Sequence, residues 1–237
     1  MRNKTMSGAL SLYKELAGSV TTIIDVGAQG CTDFLIESFP ECHHYLFEPV
    51  PLFHPMIADH YRNISHTLCT KALYDGSIDK IQMKLWSVHI DNVPIVSGGQ
   101  VYFGREPDPT LLLVDVSTLD KFFTEENVDL GNFNSILKID VDGVDYEIMQ
   151  GGADVVLPNI GLLIIECNHL NLTTLVSAAE SMGFEIWDIV SRCYQADQFV
   201  QCDVLMINKK LKETNIKFRP REGLECIDFA AWDDTDR

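Results

Sequence analysis

Apolar and polar positions along the chain fall into short blocks that alternate between two periods. Leu12, Tyr13 and Leu16 share one face of a helix predicted over residues 8–18. A β-branched apolar run, Thr21 to Val26, halts at Gly27 and predicts a buried strand. A helix follows over 32–39, ended by Pro40, then a short strand over 45–48 stopped by Pro49 and Pro51. The pattern continues with a helix over 52–61 and a strand over 64–68. Strands that alternate with helices predict a parallel sheet covered on both faces. From Ile78 the pattern changes. Residues 78–89 alternate like a strand, 100–104 suit a second, and Gly98-Gly99 lies between them. The expectation is a hairpin-bearing insertion around 78–105 that runs into an irregular loop at Glu106-Pro-Asp-Pro109. Strand and helix then resume. Ser117 or Thr118 caps a helix through Thr124, 136–141 is a buried strand, and 146–150 is a helix ending at Gly151-Gly152. A nearly all-apolar central strand spans 161–167, a helix 173–182, and two last strands 184–190 and 201–208. One domain over 1–237 is expected, with an N-terminal helix in 1–20, a core of 21–208 and a C-terminal extension of 209–237 whose Asp228, Asp233, Asp234 and Asp236 read as solvated.

Composition narrows the function. The chain has 237 residues, 46% of them hydrophobic and 22% charged, which suits a folded domain with a core of its own. A net charge of −17 argues against nucleic acid and anionic membrane surfaces as partners. The longest apolar run, near Ile160 to Ile165, is far below the ~20 residues of a membrane helix. Lys14 and Glu15 interrupt any secretion signal. Seven scattered cysteines without a C-x-x-C pair read as reduced thiols of a cytoplasmic protein, so the N-x-S/T triplets at Asn3, Asn63 and Asn171 carry no glycan.

Two segments carry the chemistry. In Thr22-Ile-Ile-Asp-Val-Gly-Ala-Gln-Gly-Cys31, a strand passes through a tight glycine turn into a helix, the form that lets a nucleotide-like ligand approach backbone. A dinucleotide fingerprint would need glycine where Gln29 stands, and Asp25 would repel a pyrophosphate. A cationic or zwitterionic ligand such as S-adenosylmethionine suits Asp25 better. Glu48 closes the next strand 23 residues later, where a carboxylate can accept both ribose hydroxyls of an adenosine ligand. The second segment is Ile136-Leu-Lys-Ile-Asp-Val-Asp-Gly-Val-Asp-Tyr-Glu147. Helix capping accounts for Asp142 and Asp145 but not for Asp140, which ends the strand. Asp25, Glu48, Asp140 and Glu166 all fall at strand carboxyl ends, where open α/β sheets bind ligands. Lys138, if it points inward, needs a carboxylate partner. His43 and His44, with Trp86, Trp187 and Trp232, read as packing or exposed residues, while the 92–112 loop with Tyr102, Phe103 and Arg105 could cover an acceptor site.

Asp25-Val-Gly-Ala-Gln-Gly30, Phe47-Glu-Pro49, Ser117-Thr-Leu-Asp120, Leu137-Lys-Ile-Asp-Val-Asp-Gly143 and Ile164-Ile-Glu166 stand in an order that resembles FkbM-type methyltransferases over residues 20–208. The resemblance implies a Rossmann-like class I methyltransferase fold: a seven-stranded, mostly parallel sheet with an antiparallel last strand and helices on both faces. It implies S-adenosylmethionine as cofactor and O-methylation of a hydroxyl on a sugar or secondary metabolite. Departures are Gln29 where the family usually has Asn, Cys31 in place of a glycine, and Asp142 in place of Glu. The cofactor-binding candidates are Asp25, Gly27, Ala28, Gln29, Gly30, Glu48, Pro49 and Asp140. The catalytic candidates are Asp140, Asp142, Glu166 and His169; no metal ligand set is expected, and a divalent ion is disfavoured. Three other readings stay open: an N- or protein methyltransferase, for which no N-P-P-Y tetrapeptide is present, a catalytically silent cofactor- or partner-binding module, and a nicotinamide oxidoreductase.

Overall fold

A computed structural model describes residues 5–90, 93–104 and 106–218. The expectations for Arg105, Trp232 and the acidic tail lie outside those residues. Among the described residues no helix is long and apolar enough to cross a membrane.

The chain starts with α1 (Met6–Ala17), whose first turn is capped by the Thr5 hydroxyl accepting from the Gly8 N–H. Its buried face is Met6, Ala9, Leu10 and Tyr13, rotated from the expected Leu12/Leu16 stripe, because Tyr13 packs its ring on Trp187 and Phe218. Then come β1 (Thr22–Val26), α2 (Asp33–Ser38), β2 (His43–Phe47), α3 (His54–His60) and β3 (His66–Cys69). After an inserted region the alternation resumes with α4 (Leu119–Glu125), a strand over Ser135–Ile139, a helix over Asp145–Gln150, a strand over Ile160–Asn168, a helix over Leu172–Ser181, and strands Phe184–Gln195 and Gln198–Asn208. A short helix over Lys209–Thr214 follows.

The insertion differs from its expected form. Among the described residues it holds four strands: β4 (Ala72–Leu73), β5 (Lys80–Ile90), β6 (Val93–Val101) and β7 (Leu112–Ser117). They form a separate sheet in the order β4-β7-β5-β6. Gly98 and Gly99 do not join the two strands; they lie inside β6, and the β5–β6 pairing runs as far as Ile90↔Val93. The glycines are there because side chains of β5 fill the space beside them: a Cβ at Gly98 would lie 2.6 Å from the Trp86 ring, and one at Gly99 2.8 Å from Leu85. The sequence expectation also missed β4 and β7, which pair with each other in parallel and, through β7, with β5 in antiparallel.

After the insertion come strands β8 (Ser135–Ile139), β9 (Ile160–Asn168), β10 (Phe184–Gln195) and β11 (Gln198–Asn208), and helices α5 (Asp145–Gln150), α6 (Leu172–Ser181) and α7 (Lys209–Thr214). The large sheet runs β10-β11-β9-β8-β1-β2-β3, and only β11 opposes its neighbours. Its middle strands are buried on both faces, which explains their unbroken Ile, Leu and Val content. One face packs on α4, whose Phe122 and Phe123 meet Tyr45 and Phe47 edge-on, and the other on α1 and α2. Ser117-Thr-Leu-Asp120 is structural: the Thr118 hydroxyl caps α4, and Asp120 accepts from the N–H groups of Asp154, Val155 and Val156. It thereby ties the loop after α5 to α4. Outside the inserted region, the expected alternation of strands and helices and the reversed last strand stand in the structure.

Candidate active site

The carboxyl ends of β1, β2 and β8 meet at a cavity of about 270 Å³. Gly27 opens the turn after β1 with φ +81, and a Cβ on it would collide with the Asp140 carbonyl oxygen, so only glycine lets the β1 and β8 loops come this close. The turn then places Gln29 at φ +50, its N–H donating to Glu48 Oε2 at 2.9 Å. Glu48 Oε1 accepts from the Val50 N–H at 2.8 Å. Glu48 is 5% exposed, and burial pushes its carboxyl up to about 7 despite those two amide bonds. Each oxygen has accepted one hydrogen bond and keeps a lone pair.

Behind the rim lies a buried ion pair. Lys138 Nζ is 3.1 Å from Asp25 and 3.1 Å from Asp140, and it also donates to the Gly27 carbonyl at 3.5 Å. Lys138 therefore does point inward and has its carboxylate partner. Burial alone would lower the Lys138 ammonium; the Asp25 and Asp140 carboxylates hold it above its ordinary value. Asp25 is fully buried, with Oδ2 free of a hydrogen-bond partner. Asp140 reaches the cavity with its side chain 39% exposed. Glu166 on β9 is bonded by the Gln201 amide at 2.8 Å and faces its register partner Asp203 on β11. Burial, then the neighbouring Asp140 charge and a hydrogen bond with Asp140, push it up to about 8. Asp145, at the start of α5, is raised by burial to about 7.

Of the residues singled out from sequence, Gly27, Gln29, Glu48, Pro49, Asp140 and Asp142 line this one cavity. Asp25 does not line it and is joined to Asp140 through Lys138. Ala28 and Gly30 are buried in the turn, Gly30 with its α-carbon against Met56. Glu166 contacts Asp140 without lining the cavity, and exposed His169 follows β9, its N–H bonded to the Val200 carbonyl. Sequence reading missed Lys71 and the wall supplied by Met83, Trp86 and Val101. Trp86, expected as packing, borders the cavity; the one signal for it was the glycine pair opposite. His43 and His44 are structural, bonded to Ser65, Thr67 and the Phe39 carbonyl. Among the described residues no three His, Cys, Asp or Glu side chains stand where they could hold a metal ion.

A seven-stranded sheet with one reversed strand, a glycine turn after β1 and a carboxylate closing β2 make up a class I methyltransferase fold. Within that class the chain belongs to the FkbM methyltransferase family: the family model described as "Methyltransferase FkbM domain" matches residues 23–193. Solved structures with a similar chain course include the methyltransferase FkbM from Methylobacillus flagellatus KT, at 16% identity and TM-score 0.48, covering 78% of this chain and 43% of that one. The chain thus spans less than half the length of that protein. The N-methyltransferase NodS from Bradyrhizobium japonicum WM9 has 9% identity and TM-score 0.46, covering 85% and 93%. Magnesium protoporphyrin IX methyltransferase from Synechocystis PCC 6803, solved with its cofactor bound, has 8% identity and TM-score 0.46, covering 85% and 76%. No curated protein matches the sequence.

Proposed function

We propose that this chain methylates a hydroxyl of a small molecule, a glycan or secondary metabolite, and does so as one methyltransferase domain in the cytoplasm. The observation that carries the reading is that a single cavity brings together Glu48, the Gly27 turn and Asp140. The residues fit the cofactor. Glu48 is buried, keeps one lone pair on each oxygen and could accept both ribose hydroxyls, while the turn's exposed backbone leaves room for the amino-acid end. Bound S-adenosylmethionine supplies an electrophilic methyl group. An alkyl hydroxyl is a weak nucleophile, so a group must orient it and take its proton. Asp140 is the half-exposed carboxylate at the right rim, and it receives that proton as the new carbon–oxygen bond forms. Lys138 holds Asp140 from behind, and Glu166 holds it from the β9 side. Asp142 borders the acceptor end. Charge supports a neutral or cationic acceptor over a nucleic acid, since the chain carries −17.

The test is transfer of labelled methyl from S-adenosylmethionine to a panel of glycans, hydroxylated metabolites, amines and peptides, with mass spectrometry locating the methyl. O-methylated product is expected, with kcat in Asp140→Asn reduced about 10²–10⁴-fold. Methyl found on nitrogen would replace the reading with N-methylation. Cofactor binding without turnover on any acceptor would favour a silent binding module.

A further inference from the structure

The cavity has a second wall that the mechanism leaves unused. It comes from β5 and β6 of the small sheet. Trp86 and Gly98 are register partners, and the indole occupies the space a side chain at 98 would need, since a Cβ there would lie 2.6 Å from its ring. The register slips at this point: Trp86 faces Gly98 and Ser87 faces Val96, so Ser97 has no partner. Bulges of this kind re-aim a side chain next to a site. The indole borders the cavity.

β6 also crosses over the loop that leaves Glu48. A Cβ at Gly99 would lie 3.6 Å from Val50 Cγ2, and the Val50 N–H is bonded to Glu48. Val50, Phe53 and Met83 belong to one buried apolar cluster joining the small sheet to that loop. A ribose held by Glu48 carries its base one glycosidic bond away, within reach of Val50 and hence of β6. Val50, Phe53, Met83 and Trp86 give this wall an apolar surface, and the polar side chains of Lys71 and Gln100 also line the cavity. A purine presents flat faces of low polarity that suit the Trp86, Val50 and Met83 side chains, against which a charged group would lose solvation.

We propose that Trp86, seated in the notch left by Gly98, is a purine-binding wall, so that the inserted sheet takes part in cofactor recognition. The proposal rests on the reading that the chain binds S-adenosylmethionine. Base–aromatic contacts give an expected loss of about 5- to 150-fold in S-adenosylhomocysteine affinity for Trp86→Ala. Trp86→Phe keeps a ring and should stay within about fivefold of wild type. Gly98→Ala displaces the indole and should weaken binding without touching Trp86 itself.

The experiment titrates wild type, Trp86→Phe, Trp86→Ala and Gly98→Ala with S-adenosylhomocysteine by calorimetry and by tryptophan fluorescence. Adenosine, methionine and a methyl glycoside serve as separate probes. Expected are a saturable fluorescence change in wild type with S-adenosylhomocysteine and adenosine, none with methionine, and loss of that change in Trp86→Phe although binding persists. Wild-type binding matched by Trp86→Phe and Gly98→Ala, with the fluorescence change intact in Trp86→Phe, would overturn the wall alone. So would a signal from the glycoside and not from adenosine, which would assign the wall to the acceptor. Failure of wild type to bind S-adenosylhomocysteine at all would overturn the cofactor reading and the wall with it.

Discussion

The two sheets meet the same cavity with opposite chemistry. The seven-stranded sheet brings charge: Glu48, Asp140 and, behind them, the Asp25–Lys138 pair, each fixed by a hydrogen bond or an ion. The four-stranded sheet brings shape: Met83, Trp86 and the bare backbone of Gly98 and Gly99. The first kind of wall is set at strand ends, where one or two residues decide the chemistry. The second depends on which strands lie side by side. If this division holds, damage to the large sheet should cost stability and charge-dependent affinity, while damage to the small sheet should change fit.

The largest effect is expected at Lys138. Lys138→Met removes the only cation within reach of Asp25 among the described ion pairs and leaves that carboxylate fully buried. Breaking one side of a buried pair costs about 3–5 kcal/mol, and a denaturant melt should show that loss. Asp25→Asn combined with Lys138→Met removes the uncompensated charge and should recover a large part of it. A Lys138→Met chain as stable as wild type would mean that the large sheet is not held by its charges, and the contrast between the walls would collapse. Trp86→Ala, by comparison, should weaken binding with a smaller stability change.

The same division explains what could be read from the residues. Strands β1, β8 and β9 announce themselves as apolar runs closed by Asp, Gly or Glu, because both their faces are buried and their ends carry the function. Glu48 and Asp140 were legible as a pair of strand-end carboxylates, and their meeting at one cavity follows from parallel neighbours of β1. Gly98-Gly99 misled, since glycine marks a turn and a close approach equally well, and only the partner residue, Trp86, tells them apart. β4 is two residues long and β7 is recognisable only through β5, so neither had a local signal. His169 fits a strand-end pattern, yet the loop carries it to the surface.

A middle-sized effect sharpens the charge side of the comparison. Burial raises Glu48 from an ordinary 4.5 to about 7, so between those values the folded chain holds a proton that the unfolded chain has released. Stability from this group is therefore greatest at low pH and falls as pH rises through that window. Glu166, raised to about 8, and Asp145, raised to about 7, act in the same direction. Ribose hydroxyls donate best to the ionised carboxylate, so S-adenosylhomocysteine affinity should rise from pH 6 to pH 8 with proton release, measurable by calorimetry in two buffers of different ionisation heat. Glu48→Gln should lose about 1.5–3 kcal/mol of binding and most of this pH dependence. A wild-type affinity that does not change with pH would separate Glu48 from the ribose.

The smallest effect concerns the turn that lets the charged wall close. Gln29 holds φ +50, a left-handed conformation that costs a residue with a side chain free energy and that Asn adopts several times more readily. One contact that holds Gln29 there is its backbone N–H bonded to Glu48 Oε2, which any residue would make. Gln29→Asn should therefore relieve strain without loosening Glu48. A several-fold preference corresponds to about 0.6–0.9 kcal/mol, and for a chain of this length that is a rise in Tm of roughly 1–4 °C. S-adenosylhomocysteine affinity should stay within about twofold of wild type, because the anchoring bond is untouched. A fall in Tm would show that contacts of the Gln29 side chain outweigh the strain of its backbone, and that this turn, unlike the rest of the large-sheet rim, is held by shape rather than by the carboxylate behind it.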